Sequence, residues 1–558
     1  MSRVSVGFFI IISIFFLISV RLFYWQVIAG ESLRNQAEKQ YFLEFTLPST
    51  RGTILASDGS PLVMNSPAFL AYAQPQKIKN PLQFINQILP YIPIDEKTVM
   101  ANITAPGRVW VPLAHKVEPP VVDALRAQEI VGLDFEPELK RYYPESSMAA
   151  HLLGFVGSDQ NGYDKGYFGL EGYYDRELRG IEGFIQREKD ALGAPIVIGE
   201  ERRIEAQNGR SLVLWIDRVI QRSVEKRLLE GIAKYGAIAG SVVVMDPKTG
   251  GVLAMASVPS YDPSQFSAFD KSVYVNPAVG ASYEPGSTFK VLVMAAALHS
   301  GVIEATTQLD ESGPTQVGGY SIRTWDNKYR GQQSMSEVIQ HSSNVGMVFI
   351  QQKMGREPFI KFLHDFGFGK PSGIDLEEDQ SPELRADSEW KDIDLATASF
   401  GQGIAVTPIQ MVRAVSAIAN GGFLMTPRIL KKTIDSKGKE IEITPEKGKR
   451  LLSKKATDLT TEMMINAVDN GEAKWAKPKG YRIAGKTGTA QIAVAGHYDE
   501  KKTIASFVGF APADDPKFVM LVTLREPTSS QWGSETAAPL FFSIARDIFM
   551  YKGIAPQL

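Results

Sequence analysis

Hydrophobic and polar positions follow three different rhythms along the chain. From Val4 to Val20 every residue is uncharged and the run is rich in Ile and Phe, so a helix here is apolar on every side, with Arg3 and Arg21 at its borders. Leu22-Phe23-Tyr24-Trp25 continues it with the aromatic composition of a membrane interface. The run is short for a span, and an Arg21 side chain reaching to the interface lengthens it. This pattern predicts a single-pass anchor, with the short N-terminal end in the cytoplasm and the chain after residue 30 outside. A cleaved signal peptide is the competing reading, because Val27-Ile28-Ala29 loosely fits a cleavage site, although the apolar run is longer than such peptides use.

Between Glu31 and Gln207 the rhythm changes. A polar helix over Gln26 to Glu38 gives way to strands and turns. Phe42-Leu43-Glu44-Phe45-Thr46-Leu47 alternates and runs into Arg51-Gly52-Thr53-Ile54-Leu55, with a turn at Ser57-Asp58-Gly59. Arg141-Tyr142-Tyr143-Pro144 and Gly169-Leu170-Glu171-Gly172 lie in this stretch and carry no evident reaction. A structural module of strands and short helices is the reading they support.

From Ser211 the pattern mixes helix and strand. Asp217 can cap a helix whose apolar positions Ile220, Val224, Leu228, Ile232 and Tyr235 recur at helical spacing up to Gly236. Ala239 to Met245 and Val252 to Ser257 flank a turn and predict a hairpin, as do Ile504 to Phe510 and Phe518 to Leu524. Arg482-Ile483-Ala484-Gly485 leads a third strand into Lys486. A helix over Ile409 to Ala419 closes at Asn420-Gly421-Gly422. The expectation is an α/β (α+β) fold, an antiparallel sheet covered by helices on both faces. The division follows as 1–30 for the cytoplasmic end and anchor, 31–207 for the non-catalytic module, and 208–558 for the α/β domain.

Composition narrows the chemistry. Sixty Lys and Arg against 62 Asp and Glu give a net charge of −2, which excludes a basic nucleic-acid surface. Cysteine is absent, which excludes disulfides and thiol catalysis, and the six histidines show no metal-ligand spacing, so neither metal nor cofactor is expected.

In Glu284-Pro285-Gly286-Ser287-Thr288-Phe289-Lys290, Pro285-Gly286 blocks helix upstream while Val291 to Leu298 strongly favours it. Ser287 then falls in the first helical turn, with the Lys290 amine beside its hydroxyl. A serine hydroxyl becomes a nucleophile when a base takes its proton, and a desolvated lysine can be that base. Ser334 and Glu337 form a capping box that opens a helix, and Ser342-Ser343-Asn344 lies where that helix is expected to give way to a loop before Val345-Gly346-Met347. Taken alone, serine and asparagine at a helix end are caps. Lys486-Thr487-Gly488-Thr489 supplies a cation, two hydroxyls and a glycine that would let a substrate backbone approach. The cation should also help to keep Lys290 neutral.

S-x-x-K, S-x-N and K-T-G in this order resemble the signature of penicillin-recognising serine enzymes. Arg51-Gly52 and Gly169-Leu170-Glu171-Gly172 are similar to the pedestal of class B penicillin-binding proteins, where class A members carry a glycosyltransferase module. The resemblance implies the penicillin-binding transpeptidase fold behind a membrane helix and an elongated β-rich pedestal serving dimerisation or partner contact. It implies that Ser287 is the nucleophile, Lys290 its base, and Ser342 the proton relay to the leaving amine. Asn344, Lys486, Thr487, Gly488 and Thr489 would bind substrate, and the backbone N–H groups of Ser287 and Thr489 would form the oxyanion hole. The implied reaction is D,D-transpeptidation of peptidoglycan stem peptides through an acyl-enzyme that β-lactams also form. Gly236 to Ser257, Phe366-Gly367-Phe368-Gly369, Ser399-Phe400-Gly401-Gln402-Gly403 with Thr407-Pro408, and Ser506 to Pro512 look most like the division (FtsI) type, with the elongation type next. A D,D-carboxypeptidase or a β-lactamase shares the trio but leaves the long module before Ser211 unexplained. A non-catalytic β-lactam sensor would carry further membrane helices. Class A β-lactamases activate water with a glutamate in E-P-E-L-N, where this chain has Ser381-Pro382-Glu383-Leu384-Arg385. The family's usual partners would be a SEDS-family glycan polymerase and other divisome proteins, on the outer side of the inner membrane.

Overall fold

A computed structural model describes residues 3–34, 42–160, 162–189, 196, 201–494 and 497–556. Its contacts group into two compact units, Met1–Arg51 with Arg179–Gly209, and Gly52–Leu178 with Arg210–Leu558.

In the first unit the apolar run forms a helix over Arg3–Phe23, followed by a π-helical turn at Tyr24–Ile28. The 23 residues Val6–Ile28 are apolar enough to cross a membrane, and at helical rise they span roughly 34 Å against a hydrocarbon core of about 30 Å. The Arg21 guanidinium lies over the Trp25 ring, 5.6 Å from its centroid, so the charge sits at the aromatic end of the run. The expected polar helix is interrupted by the π turn, resumes over residues 30–34, and its remainder at 35–38 lies outside the described residues. Phe42–Leu47 pairs with Gly183–Glu188, and that strand with Glu201–Ile204, in an antiparallel three-stranded sheet.

The second unit corrects one expectation at once. Phe42–Leu47 does not run on into Ile54–Leu55, because the two strands belong to different sheets. Gly52 passes so close to the chain that a Cβ there would lie 1.9 Å from the Arg210 carbonyl oxygen. Ile54–Leu55 then pairs in parallel with Ser211–Leu214, whose other neighbour is Leu430–Ile434. One sheet therefore joins strands from both sides of residue 207. Within this unit, Arg141 donates to Glu171 Oε1 at 2.9 and 2.6 Å and to Asn65 Oδ1 at 2.9 Å, with the ion pair almost wholly buried. The two motifs without chemistry are thus tied to each other.

Five antiparallel strands form the sheet that carries the site: β1 (Ala239–Met245), β2 (Val252–Val258), β3 (Ala484–Val494), β4 (His497–Ala511) and β5 (Phe518–Arg525), in the order β2-β1-β5-β4-β3. Both expected hairpins are present. Period-two alternation sends Val242, Val244, Phe507 and Val522 into one core and Val243, Met245, Val508 and Leu521 into the other. Both faces are covered, so the strands read as nearly continuous apolar runs. On one face pack α1 (Arg218–Tyr235) and, near the C-terminus, the helix Ala537–Tyr551. Asp217 caps α1 by accepting from the Val219 and Ile220 amides, and Gly236 ends it in left-handed backbone at φ 62°. The other face holds α2 (Lys290–Ser300), whose residues from Lys290 to Ala297 are all buried.

Replacing one partner of the buried pair should destabilise strongly, because a buried ion pair and its hydrogen bonds are lost. Arg141→Ala is expected to cost about 3–5 kcal/mol. Lys454→Ala breaks the exposed Lys454–Asp458 pair and should change stability by less than about 1 kcal/mol. Urea unfolding of both variants measures the contrast.

Candidate active site

Ser287 sits in a 3₁₀ turn, Gly286–Phe289, that runs directly into α2. The turn is pinned from a distant segment. Gly286 N donates to the Gly401 carbonyl at 3.0 Å, Gly403 N donates to Glu284 Oε1 at 3.0 Å, and Tyr283 exchanges two backbone bonds of 2.9 Å with Val406. Gly401 has φ 81°, and a Cβ there would lie 2.2 Å from the Gly286 carbonyl oxygen. The function of Ser399 to Val406 is therefore to clamp the serine turn. Spacing alone left these residues as a family likeness; two glycines one residue apart ahead of Thr407-Pro408 were the only signal.

The capping box at Ser334 opens α3 (Met335–Gln340) as expected. The helix does not yield to a loop. His341 and Ser342 make a tight turn, Ser343 caps the next helix, and Asn344 is the first residue of α4 (Asn344–Met354). Ser342 holds φ 57°, a left-handed backbone that costs a non-glycine residue about 1–2 kcal/mol. That conformation turns both its carbonyl and its hydroxyl toward Lys290.

Lys290 Nζ donates to the Ser342 carbonyl at 2.6 Å and to Asn344 Oδ1 at 2.8 Å, and lies 3.3 Å from Ser342 Oγ. Ser342 Oγ in turn donates to Ser287 Oγ at 2.9 Å. The amine beside the nucleophile, expected from helical spacing, is thus joined to it through a second hydroxyl. Lys290 has no solvent exposure, whereas Ser287 is only half-buried and reachable. Burial, and after it the Lys486 charge, hold the Lys290 amine well below its ordinary range; Glu472 and Glu311 oppose them.

Lys486, Thr487, Gly488 and Thr489 lie on β3, the edge strand of the sheet. Pleating turns buried Lys486 inward and half-exposed Thr487 and Thr489 to the other face. Lys486 Nζ is 3.2 Å from both Thr487 O and Thr487 Oγ1, and burial draws its pKa down to about 8. Thr487 Oγ1 accepts from that lysine and Thr489 Oγ1 accepts from Gly533 N at 3.0 Å, so each hydroxyl keeps a hydrogen to donate. Gly488 also has a packing role. A Cβ there would meet Ser506 Oγ at 2.4 Å, Thr288 Cγ2 at 2.8 Å and the Pro285 carbonyl at 3.2 Å, so its bare backbone lets the serine turn approach the strand.

Two tryptophans were missed by pattern reading, since neither belongs to a motif. The Trp325 and Trp532 rings are 5.2 Å apart. Trp325 Nε1 donates to the His341 carbonyl at 3.2 Å, and Trp532 precedes the Gly533 that holds Thr489. The pair joins the S-x-N side of the cleft to the β3 side. The glutamate-loop imitation is engaged elsewhere: Gln410 Nε2 donates to Ser381 Oγ at 2.8 Å, and Arg385 pairs with Asp394 at 2.8 Å.

Comparison with known proteins gives two family matches: the penicillin binding protein transpeptidase domain over residues 240–549 and the penicillin-binding protein dimerisation domain over residues 46–214. Stage V sporulation protein D of Bacillus subtilis is 34% identical over 98% of this chain and 85% of its own length. Peptidoglycan D,D-transpeptidase FtsI of Escherichia coli is 30% identical over 98% of this chain and 91% of its own. The crystal structure of penicillin binding protein 2X from Streptococcus thermophilus superposes with a TM-score of 0.74 at 26% identity, covering 92% of this chain and 80% of that one.

The clamp on the serine turn yields a stability contrast between two glycines of equal φ. Gly401→Ala combines left-handed strain of about 1–3 kcal/mol with a backbone clash, whereas Gly438→Ala, also at φ 81°, meets no atom within 4 Å. Gly401→Ala should therefore lower the thermal midpoint clearly more than Gly438→Ala; equal losses would show that the close approach to Gly286 is unimportant.

Proposed function

Because the chain belongs to the class B penicillin-binding protein transpeptidases of FtsI type and is a serine-type D,D-transpeptidase, we propose that Ser287 carries the acyl group between two stem peptides. The observation that supports this most is the hydrogen-bonded path from Ser287 Oγ through Ser342 Oγ to the buried Lys290 amine. Hydroxyl hydrogens rotate freely. With both rotors turned, Ser287 donates to Ser342 and Ser342 to the Lys290 lone pair. As Ser287 Oγ attacks the D-Ala-D-Ala peptide carbonyl, its proton passes along this path. The tetrahedral oxyanion is met by the backbone N–H groups of Ser287 and Thr489, donors that typically contribute about 3 kcal/mol each. The proton returns through Ser342 to the departing D-alanine amine. The amine of a neighbouring stem then attacks the ester, and Ser287 is regenerated.

Substrate binding follows from the free edge of β3. A stem peptide laid along it adds a strand, while Asn344 Nδ2, the Thr487 and Thr489 hydroxyls and the Lys486 charge meet its polar groups. A β-lactam acylates the same serine. The Ser381 to Arg385 segment offers no carboxylate in the place of the water-activating glutamate, which favours transfer to an amine over hydrolysis.

For the cellular role, the likeness to FtsI supports septal wall cross-linking, with a SEDS-family glycan polymerase and divisome proteins as partners. The more identical sporulation protein supports a second reading, a role in sporulation. The domain division 1–30, 31–207 and 208–558 would make residues 31–207 a partner-binding pedestal, with the bulk of the chain outside the cytoplasm.

Fluorescent penicillin should label Ser287 alone, and Ser287→Ala should abolish labelling in a folded protein; an adduct mapped elsewhere overturns the assignment. Lys290 must give up its proton, so Lys290→Arg should stop acylation, whereas Lys486→Arg keeps the cation and part of the activity. The sign of the pH effect is fixed by charge: acylation rises with pH as Lys290 deprotonates. The Lys486 charge lowers the Lys290 pKa, so a neutral residue at 486 should move the acid limb to higher pH.

Orientation is tested separately. Protease added to spheroplasts should digest the chain from about residue 30 onward, while protection of that region, or a mature N-terminus at Gly30, would exclude the anchored arrangement.

A further inference from the structure

Glu311 ends the strand Gln308–Glu311 and has no solvent exposure. Its Oε2 accepts a hydrogen bond from Ser343 Oγ, while Oε1 is buried with no hydrogen-bond partner among the described residues. A carboxylate with an orphaned oxygen in the interior is costly to keep, so packing alone does not account for it. The other contacts of Ser343 explain the placement. Its Oγ accepts from Gly346 N at 2.9 Å, which caps α4, and its backbone N–H donates to the Val338 carbonyl at 3.0 Å. The strand bearing Glu311 pairs with Gly331–Ser334, and Ser334 opens α3. Strand, α3, the Ser342 turn and Glu311 thus form a closed circuit, with Ser342 at its most strained point.

We propose that Glu311 is a positioning residue that grips Ser343 and so holds Ser342, in its left-handed backbone, with hydroxyl and carbonyl against the Lys290 amine. The inference rests on the reading that Ser287 is acylated with Lys290 as base. Its charge has a second effect. The groups facing Lys290 are Lys486 from β3, Glu472 beyond the helix Lys454–Asn470, and Glu311; the first disfavours the ammonium and the two carboxylates favour it. On the far side, His341 also feels the Glu311 charge, along with Arg330, Glu337 and Asp326.

The experiment follows fluorescent-penicillin acylation against pH in the full chain, with circular dichroism as the folding control. Glu311→Gln keeps an oxygen for Ser343 and removes the charge, so its plateau rate should stay close to wild type while the acid limb moves to lower pH. Glu311→Ala removes the grip, and its plateau should fall roughly 10²-fold, as small misplacements of reacting groups do. Ser343→Ala should fall in parallel, and the double variant should be no worse than either single one. Wild-type acylation by Glu311→Ala, an unmoved acid limb in Glu311→Gln, or additive losses in the double variant each overturn the proposal. If Glu311→Ala fails to fold, the plateau of Ser343→Ala decides it. Labelled wild type with indifferent Glu311 variants sinks this inference alone; unlabelled wild type sinks the acylation reading beneath it.

Discussion

The dry seat of the Lys290 amine is the constraint on which the site depends. An ammonium ion taken fully out of water loses several kcal/mol of hydration, and two neutral acceptors, the Ser342 carbonyl and Asn344 Oδ1, replace only part of it. The neutral amine is therefore the cheaper form, and a neutral amine can accept a proton. The rest of the architecture keeps that seat dry and close. The buried apolar run Val291 to Ala297 of α2 continues directly from it, the left-handed Ser342 closes it from the side, and Lys486 on β3 adds a like charge nearby.

Three walls from distant stretches of the chain meet around it. Bare backbone is the device that lets them approach: Gly286 against Gly401 and Gly488 against the turn from Pro285 to Thr288. A side chain at either place would part the nucleophile from the strand or from its clamp. Small size here is geometry rather than flexibility, since each missing Cβ is replaced by protein atoms.

Much of this was legible in local pattern. The two hairpins, the Asp217 cap, the capping box at Ser334 and the three motifs of the candidate site are each written within a few residues, where propensity and spacing act directly. What escaped depends on contacts between residues far apart in sequence. Ser342 reaches Ser287 across 55 positions, so the inserted hydroxyl could not be read from the three-residue spacing of Ser287 and Lys290. Glu311 lies 32 positions from Ser343 and belongs to no motif. The packing of Gly488 against the serine turn escaped because a strand seen alone does not reveal what stands in front of it. The sheet that joins Ile54–Leu55 to Ser211–Leu214 was hidden for the same reason.

The paired indoles of Trp325 and Trp532 have a consequence for observation. Two such chromophores with centroids 5.2 Å apart couple their excited states, and coupling of this kind produces a split circular-dichroism signal that decays steeply with separation. The chain has seven tryptophans, and among the described residues these are the two whose rings pack against each other. One ring is held by the S-x-N side of the cleft and the other by the β3 side. The protein thus carries a native optical gauge of the gap between the two walls of this cleft, readable in the unmodified chain without dye or label.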